Sequence, residues 1–428
     1  MLRLWLTVRA PLSEMYYLCS MTRIYTMIIA CLMALLAQAP LRAQDEGSEL
    51  PDSCGEKPAP ITDLQLSVLT CSPGQEVYSL YGHTAIRCTS LAEGLDMVYN
   101  YGVFSFGQPH FIWRFMRGKC DYMLEPAPFR GFLAAYEKRG SRVTEQVLSL
   151  SQPEAHAIMC ALIDNCAPEN STYRYNYLYN NCTTRVRDVI EGGVQGCVVY
   201  ASRSPELTTR DVLHHYMQEH PWAAEGCDFL LGADMDTMVS DRLLMFAPEY
   251  MMDYLSTAQV HAEDGSVRPL VAETRVLTPG RDVPVERGFP LSPRQAGWGF
   301  FALCVLVVLV ECLAGRVCKW WSALLLLAQG LAGTLLLFMF LFSAHPGVDS
   351  NWLMWPFNPL ALLGVGFVVW GKGRTQARWW TAYFCILALF LLFCPLIPQD
   401  FGNIVVPLTM SLLTRPIGFC VCCRRERK

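Results

Sequence analysis

Residues 175–188 read Tyr175-Asn176-Tyr177-Leu178-Tyr179-Asn180-Asn181-Cys182-Thr183-Thr184-Arg185-Val186-Arg187-Asp188. A helix is predicted over 181–190, so Cys182 stands at its start, directly after two asparagines. An Asn cap leaves the first backbone N–H groups pointing outward. Their partial positive charge stabilises a thiolate, and the same groups can receive an oxyanion. Upstream, Tyr78-Ser79-Leu80-Tyr81-Gly82-His83-Thr84-Ala85-Ile86-Arg87 places a His directly after a Gly, at the mouth of a predicted strand. A strand-borne His can take a thiol proton and hold the ion pair that results. A lone Cys is more often buried or disulfide-bonded than catalytic, and a lone His is more often a satisfied polar residue. The two together in one domain say more than either alone.

The rest of that domain reads as mixed. Leu64–Leu69 alternates with period two, as a half-buried strand does. Residues 85–88 and 97–101 look similar, with Gly82, Gly94, Gly102 and Gly107 between them. Helices follow over 128–139, from Ser151 onward, over 208–220 and over 241–255. The Ser151-Gln152-Pro153-Glu154 start carries N-cap and first-turn chemistry. His214, His215 and His220 fall on a charged helix that is expected to face solvent. Asp234, Asp236 and Asp241 lack metal-ligand spacing, so no metal and no cofactor is expected. Nine cysteines lie between Cys54 and Cys227. An odd number in an oxidising compartment leaves at least one thiol unpaired.

Composition divides the 428-residue chain in two. Only 17% of residues are charged, against about 25% in soluble domains, and the deficit falls after Gly297. Five apolar stretches, 296–315, 320–342, 352–371, 379–398 and 402–422, are each long enough to span a bilayer. Arg316 and Lys319 follow the first, Lys372, Arg374 and Arg378 the third, and Arg424, Arg425, Arg427 and Lys428 the last. By the positive-inside rule these ends are cytoplasmic and the domain before the first span is outside. Arg23, the apolar run Tyr25–Leu36 and the small residues near Ala43 read as a signal peptide with an upstream extension, which agrees. The domains expected are thus 1–43 signal, 44–257 exported, 258–295 hairpin and linker, and 296–423 membrane bundle. Arg415 and Pro416 interrupt the fifth stretch, so a re-entrant segment is the alternative there. Glu311 is an intramembrane charge to be explained. The outer loops hold His345, Asn351, Asn358 and Asn403, which either sit in a headgroup-level belt or line a cleft for substrate. The net charge of −4 and the lack of a basic patch give no reason to invoke nucleic acid.

Three motifs carry a resemblance: Tyr81-Gly82-His83-Thr84-Ala85, Val98-Tyr99-Asn100-Tyr101-Gly102-Val103-Phe104-Ser105-Phe106 and Tyr177-Leu178-Tyr179-Asn180-Asn181-Cys182-Thr183-Thr184-Arg185. With an exported domain followed by a polytopic C-terminus, the chain resembles the Bacteroides-type lipoprotein N-acyltransferase family (Lnb) over about residues 60–423. The exported domain is also similar to circularly permuted papain-like enzymes, in which His precedes Cys. The resemblance implies an α+β fold, an all-α bundle of about five transmembrane helices, Cys182 as nucleophile and His83 as base. Asn100 or Tyr101 would orient the His, with Asn181 and Arg185 in support. It also implies a phospholipid acyl donor, a diacylglyceryl lipoprotein acceptor and a multi-pass location in the inner membrane. Two other readings use the same residues differently: a cysteine peptidase or amidase acting on cell-wall peptides, and a non-enzymatic envelope receptor.

Overall fold

The computed structural model describes residues 61–76, 79–104, 109–281 and 289–425. The signal-peptide reading lies outside these residues. The first strand, β1 (Gln65–Cys71), pairs antiparallel with β2 (His83–Ser90), which pairs with β3 (Leu95–Val103). β4 (Asp121–Pro128), β5 (Arg142–Leu148) and β6 (Thr172–Arg174) join the same sheet. β7 (Cys197–Val199), β8 (Gln259–His261) and β9 (Val267–Pro269) form a second, small sheet. β10 (Val271–Pro279) closes the main sheet beside β5, giving the order β10-β5-β1-β2-β3-β4-β6. Residues 271–279, expected to be linker, are therefore a strand of the exported domain.

The expectation of a half-buried β1 is corrected: all but Gln65 of its residues are buried. Leu66 and Val68 face one apolar cluster, and Leu69 and Cys71 face another on the opposite side. After α1 (Phe111–Met116), the helix α2 (Phe129–Arg139) covers that second face through Phe132. α3 (Gln152–Cys166) and α4 (Cys182–Gly193) cover the first through Ile158, Leu162, Val186 and Ile190. A strand covered on both faces has no reason to keep a polar side. The domain continues through α5 (Thr209–Tyr216), α6 (Pro221–Leu230), α7 (Asp241–Leu244) and α8 (Pro248–Thr257). Residues 241–255 are mostly helical, as expected, in two helices, because the Pro248 ring occupies the first turn of the second.

The membrane half holds α9 (Pro293–Ala314), α10 (Lys319–Phe342), α11 (Ala361–Val369), α12 (Gly373–Phe393) and α13 (Val405–Arg425). Among the described residues, four helices are long and apolar enough to cross a membrane. The third expected span is the exception. Its first part is a 3-10 turn, Trp352–Met354, and only α11 is α-helical. Pro356 and Pro359 remove amide donors from what would be a continuous helix. α11 runs beside α10, with Leu362 against Gly330 and Asn358 against Gly333. The irregular stretch before it has its polar groups met by protein, as irregular backbone at membrane depth requires. Gln329 Nε2 donates to Pro356 O at 2.6 Å, Tyr383 Oη donates to Gln329 Oε1 at 2.7 Å, and Asn358 Nδ2 donates to Trp355 O at 2.9 Å.

The fifth stretch is a continuous helix with Pro416 inside it, not a re-entrant segment. Arg415 donates to Glu311 Oε1 at 2.9 Å and to Ser322 Oγ at 3.0 Å, and both charges are buried. The two intramembrane charges answer each other.

The exported domain sits directly on the outer ends of these helices. The Gly232 amide donates to Gly347 O at 2.6 Å and the Ala233 amide to Ser350 O at 3.2 Å. The Glu225 carboxylate, on α6, accepts from the amides of Asn403 and Ile404 at 3.1 and 2.8 Å. A Cβ at Gly232 would fall 2.3 Å from the Ser350 carbonyl carbon, so the backbones meet where only glycine fits. Met339 and Val348 from the membrane half belong to the apolar core of the exported domain.

Candidate active site

Gly82, with φ +78, turns the chain into β2, and a Cβ there would lie 2.5 Å from Cys71 O. This fixes His83 as the first residue of the strand. α4 lies across β2 and β3, and Thr183 Oγ1 meets Thr84 Oγ1 at 3.2 Å. Asn181 caps α4: its Oδ1 accepts from the Thr183 and Thr184 amides, both at 2.9 Å. Its Nδ2 donates to Tyr177 O and Phe246 O at 2.8 and 2.9 Å. Thr184 Oγ1 accepts from the Asn181 amide at 2.9 Å, completing a capping box. The cap thus takes two of the amides expected to point outward and leaves that of Cys182 itself.

Cys182 is half-buried and hydrogen-bonded to His83. His83 Nε2 lies 3.3 Å from Asn100 Oδ1, so Nδ1 is the nitrogen left for the thiol. Burial alone would push the Cys182 thiol up. The charge and hydrogen bond of His83, the Thr84 amide and the Thr183 hydroxyl together bring it down to about 7. Burial likewise pushes His83 down, but the Cys182 charge and bond and the Asn100 carbonyl outweigh it and raise the imidazole above its ordinary value. The pair therefore favours thiolate and imidazolium, the state a nucleophilic Cys needs. Cys71 is the cross-strand partner of His83, yet burial holds its thiol far above the usual range.

Of the two candidate orienting residues, the structure brings Asn100 to His83 and takes Tyr101 elsewhere. Tyr101 is buried, and its hydroxyl accepts from Asn165 Nδ2 at 2.9 Å. Arg185 donates to Asn180 Oδ1 at 2.6 Å and lies over the Tyr173 ring at 4.6 Å. Sequence reasoning missed Tyr173. Its hydroxyl is buried with no hydrogen-bond partner among the described residues. A Cβ placed on Gly102 would lie 3.4 Å from Cys182 Cβ and 3.9 Å from that hydroxyl, so the two groups face each other across the glycine. The run Tyr173, Tyr175, Tyr177, Tyr179 was the available signal.

The outer-loop candidates do not share one cleft. His345 lines an opening of about 520 Å³ with Asp234, Tyr179 and Asp349, while its Nε2 meets Phe115 O at 2.7 Å. Asn351 is buried and donates to Phe229 O at 2.9 Å, Asn358 caps its own turn, and the Asn403 amide is held by Glu225. These three secure the fold and the docking. His214 is corrected too: it meets Asp228 Oδ1 at 2.8 Å beside the buried Arg210, which also pairs with Asp236. Among the described residues no group of His, Cys, Asp and Glu is placed to hold a metal, and the eight cysteines from Cys71 to Cys227 are all free thiols.

No curated protein and no solved structure matches the chain. Two family profiles do: the Lnb N-terminal periplasmic domain over residues 56–215, which includes His83, Asn100 and Cys182, and the Lnb transmembrane domain over residues 285–426. An α+β periplasmic domain followed by a membrane-helix bundle, matched in both halves, makes this chain a member of the Lnb family.

Proposed function

We propose that the protein moves a fatty acyl chain from a membrane phospholipid, through a thioester on Cys182, to the α-amino group of diacylglyceryl-Cys lipoproteins at the outer face of the inner membrane. One observation carries the reading: a thiol lowered to about 7 stands in a domain whose backbone is hydrogen-bonded onto the outer ends of membrane helices. A hydrolase of cell-wall peptides needs the thiol but not that seat. Family membership supports an acyltransferase role.

The Cys182 thiolate attacks the ester carbonyl carbon. The Cys182 amide and the Tyr173 hydroxyl hold the oxyanion that forms. The carbon–oxygen bond breaks, and the departing lysophospholipid oxygen takes the proton of His83. The lipoprotein amine then attacks the thioester, His83 takes its proton, the carbon–sulfur bond breaks and the thiolate returns. The amide gained and the alcohol released balance the ester and amine consumed. An α-amino group has a pKa of about 7.7–8.0, so a useful fraction is unprotonated at neutral pH. Asn100 keeps the imidazole in plane for both proton transfers.

The full-length protein, its C182A and C182S variants and native membranes test this. The expected result is a hydroxylamine-labile acyl group on Cys182 and loss of lipoprotein N-acylation in both variants. N-acylation that persists in both removes Cys182 as nucleophile. Turnover of wall peptides with no acyl-enzyme moves the assignment to a peptidase.

A further inference from the structure

The short helix α1 carries three large apolar side chains into the open: Ile112, Trp113 and Phe115 are 69, 41 and 51% exposed. In water such a patch is a liability. Here it is fastened to a membrane helix. The Trp113 ring lies 5.1 Å from that of Phe338 on α10, and the Phe115 ring lies 5.5 Å from that of His345. The Ala344 amide donates to Arg117 O at 3.0 Å. Leu341 and Phe342, at the end of α10, are also more than half exposed. The apolar face of α1 is thus continuous with the lipid-facing side of a span, the setting of an interfacial helix.

The other side of α1 leads inward. The Phe111 ring stacks on Phe115 and on Phe104, each at 6.1 Å. Phe104 stacks on Tyr122 at 4.8 Å, and Tyr122 on Tyr175 at 4.0 Å, with planes within 18°. The row ends at the core that also holds the thiol: Tyr175 and Cys182 pack against the same buried apolar cluster, and burial together with the Cys182 charge pushes the Tyr175 hydroxyl up. A file of near-parallel rings running from a lipid-facing helix to a nucleophile offers dispersion contact along its length and few polar atoms.

We propose that α1 lies in the outer leaflet and that the row Phe115, Phe111, Phe104, Tyr122, Tyr175 receives the hydrocarbon chain of a bilayer lipid, presenting its ester at Cys182. This rests on the acyl-transfer reading for the purpose of the site, but its geometry is tested without turnover. The full-length C182A protein is reconstituted in phosphatidylethanolamine–phosphatidylglycerol vesicles that carry a phospholipid with a diazirine on its acyl chain. After photolysis, adducts are mapped by mass spectrometry. Adducts on the peptides bearing Phe104, Phe111 and Tyr122 are expected. Adducts confined to α9–α13 overturn the proposal. In the otherwise unchanged protein, F104A/F111A should raise the donor concentration for half-maximal thioester formation by roughly tenfold, the loss of about one aromatic contact. Alkylation of Cys182 by iodoacetamide should stay within twofold. Unchanged donor dependence also overturns it. Adducts at the row with no thioester on unmodified Cys182 would leave the lipid site standing and remove the acyl-transfer reading instead.

Discussion

Asn100 Oδ1 lies 3.3 Å from His83 Nε2, at the end of the ring remote from the thiol. A hydrogen bond to a charged imidazolium is worth about 1.5–3 kcal/mol. Asn100→Ala should therefore lower kcat by roughly tenfold to a hundredfold, with little change in the thermal midpoint. Asn100→Asp places a carboxylate there and should raise His83 further, moving the alkaline limb of the pH profile upward. Steady-state rates against pH check both.

The titration of the pair gives a signed expectation. The thiolate is present above about pH 7 and is lost as pH falls through that value. The imidazolium, raised above its ordinary value, persists until pH passes its own higher pKa. The two steps belong to the pair rather than to either residue. Iodoacetamide labelling of Cys182 should rise through about pH 7 in the native protein. In His83→Ala burial remains and the neighbouring charge is gone, so the midpoint should move up to the ordinary 9.0 or beyond. An unmoved midpoint would detach the thiol from His83.

Tyr173 separates catalysis from stability. Its hydroxyl is buried with no partner among the described residues, so Tyr173→Phe removes a desolvated polar group at no structural loss. Thermal stability should hold or rise slightly. The acylation rate should fall by roughly a hundredfold if the hydroxyl receives the oxyanion. Single-turnover acylation and a melting curve on one sample decide it.

Gly232→Ala tests the docking. Its new Cβ would press on the Ser350 and Asn351 backbones at 2.3–2.5 Å, at a cost of about 1–3 kcal/mol. The domain should lift from the bundle, with lipid-dependent acylation reduced and alkylation of Cys182 retained. Proteolysis after residue 230 should become faster.

Glu311 and Arg415 should be worth more together than either shows alone. Arg415→Leu leaves a buried carboxylate unpaired and should cost about 3–5 kcal/mol. The double variant Glu311→Leu, Arg415→Leu should recover much of that. Thermal unfolding in detergent measures the difference.

His83 and Cys182, which the structure brings into hydrogen-bond contact, each carry a local signature in the sequence: a Gly turn into a strand before His83, and an Asn cap before Cys182. The four long spans were equally legible, since length and hydropathy suffice for them. The break in the third segment, a 3-10 turn before α11, was not foreseen because an apolar count ignores where amide donors are missing, although Pro356 and Pro359 stood in view. β10 escaped because its partner β5 lies far away in the chain and most of its residues are exposed. His214 read as a surface residue because nothing in the chain shows that Arg210 and Asp228 meet in the interior. The docking rests largely on backbone groups, which have no sequence signature.

Met339 and Val348 share one buried cluster with Leu66, Tyr101 and Val186. Met339 lies near the end of the second span and Val348 in the loop after it, so both are translated only once the first span has been made. The periplasmic domain therefore completes its core only when the second span has been made and the loop after it has docked at Gly232 and Ala233. A chain that fails to insert carries Cys182 and His83 but lacks Met339 and Val348 in the core of the domain that holds them. The domain that carries the thiol is thereby completed only where its bilayer already lies.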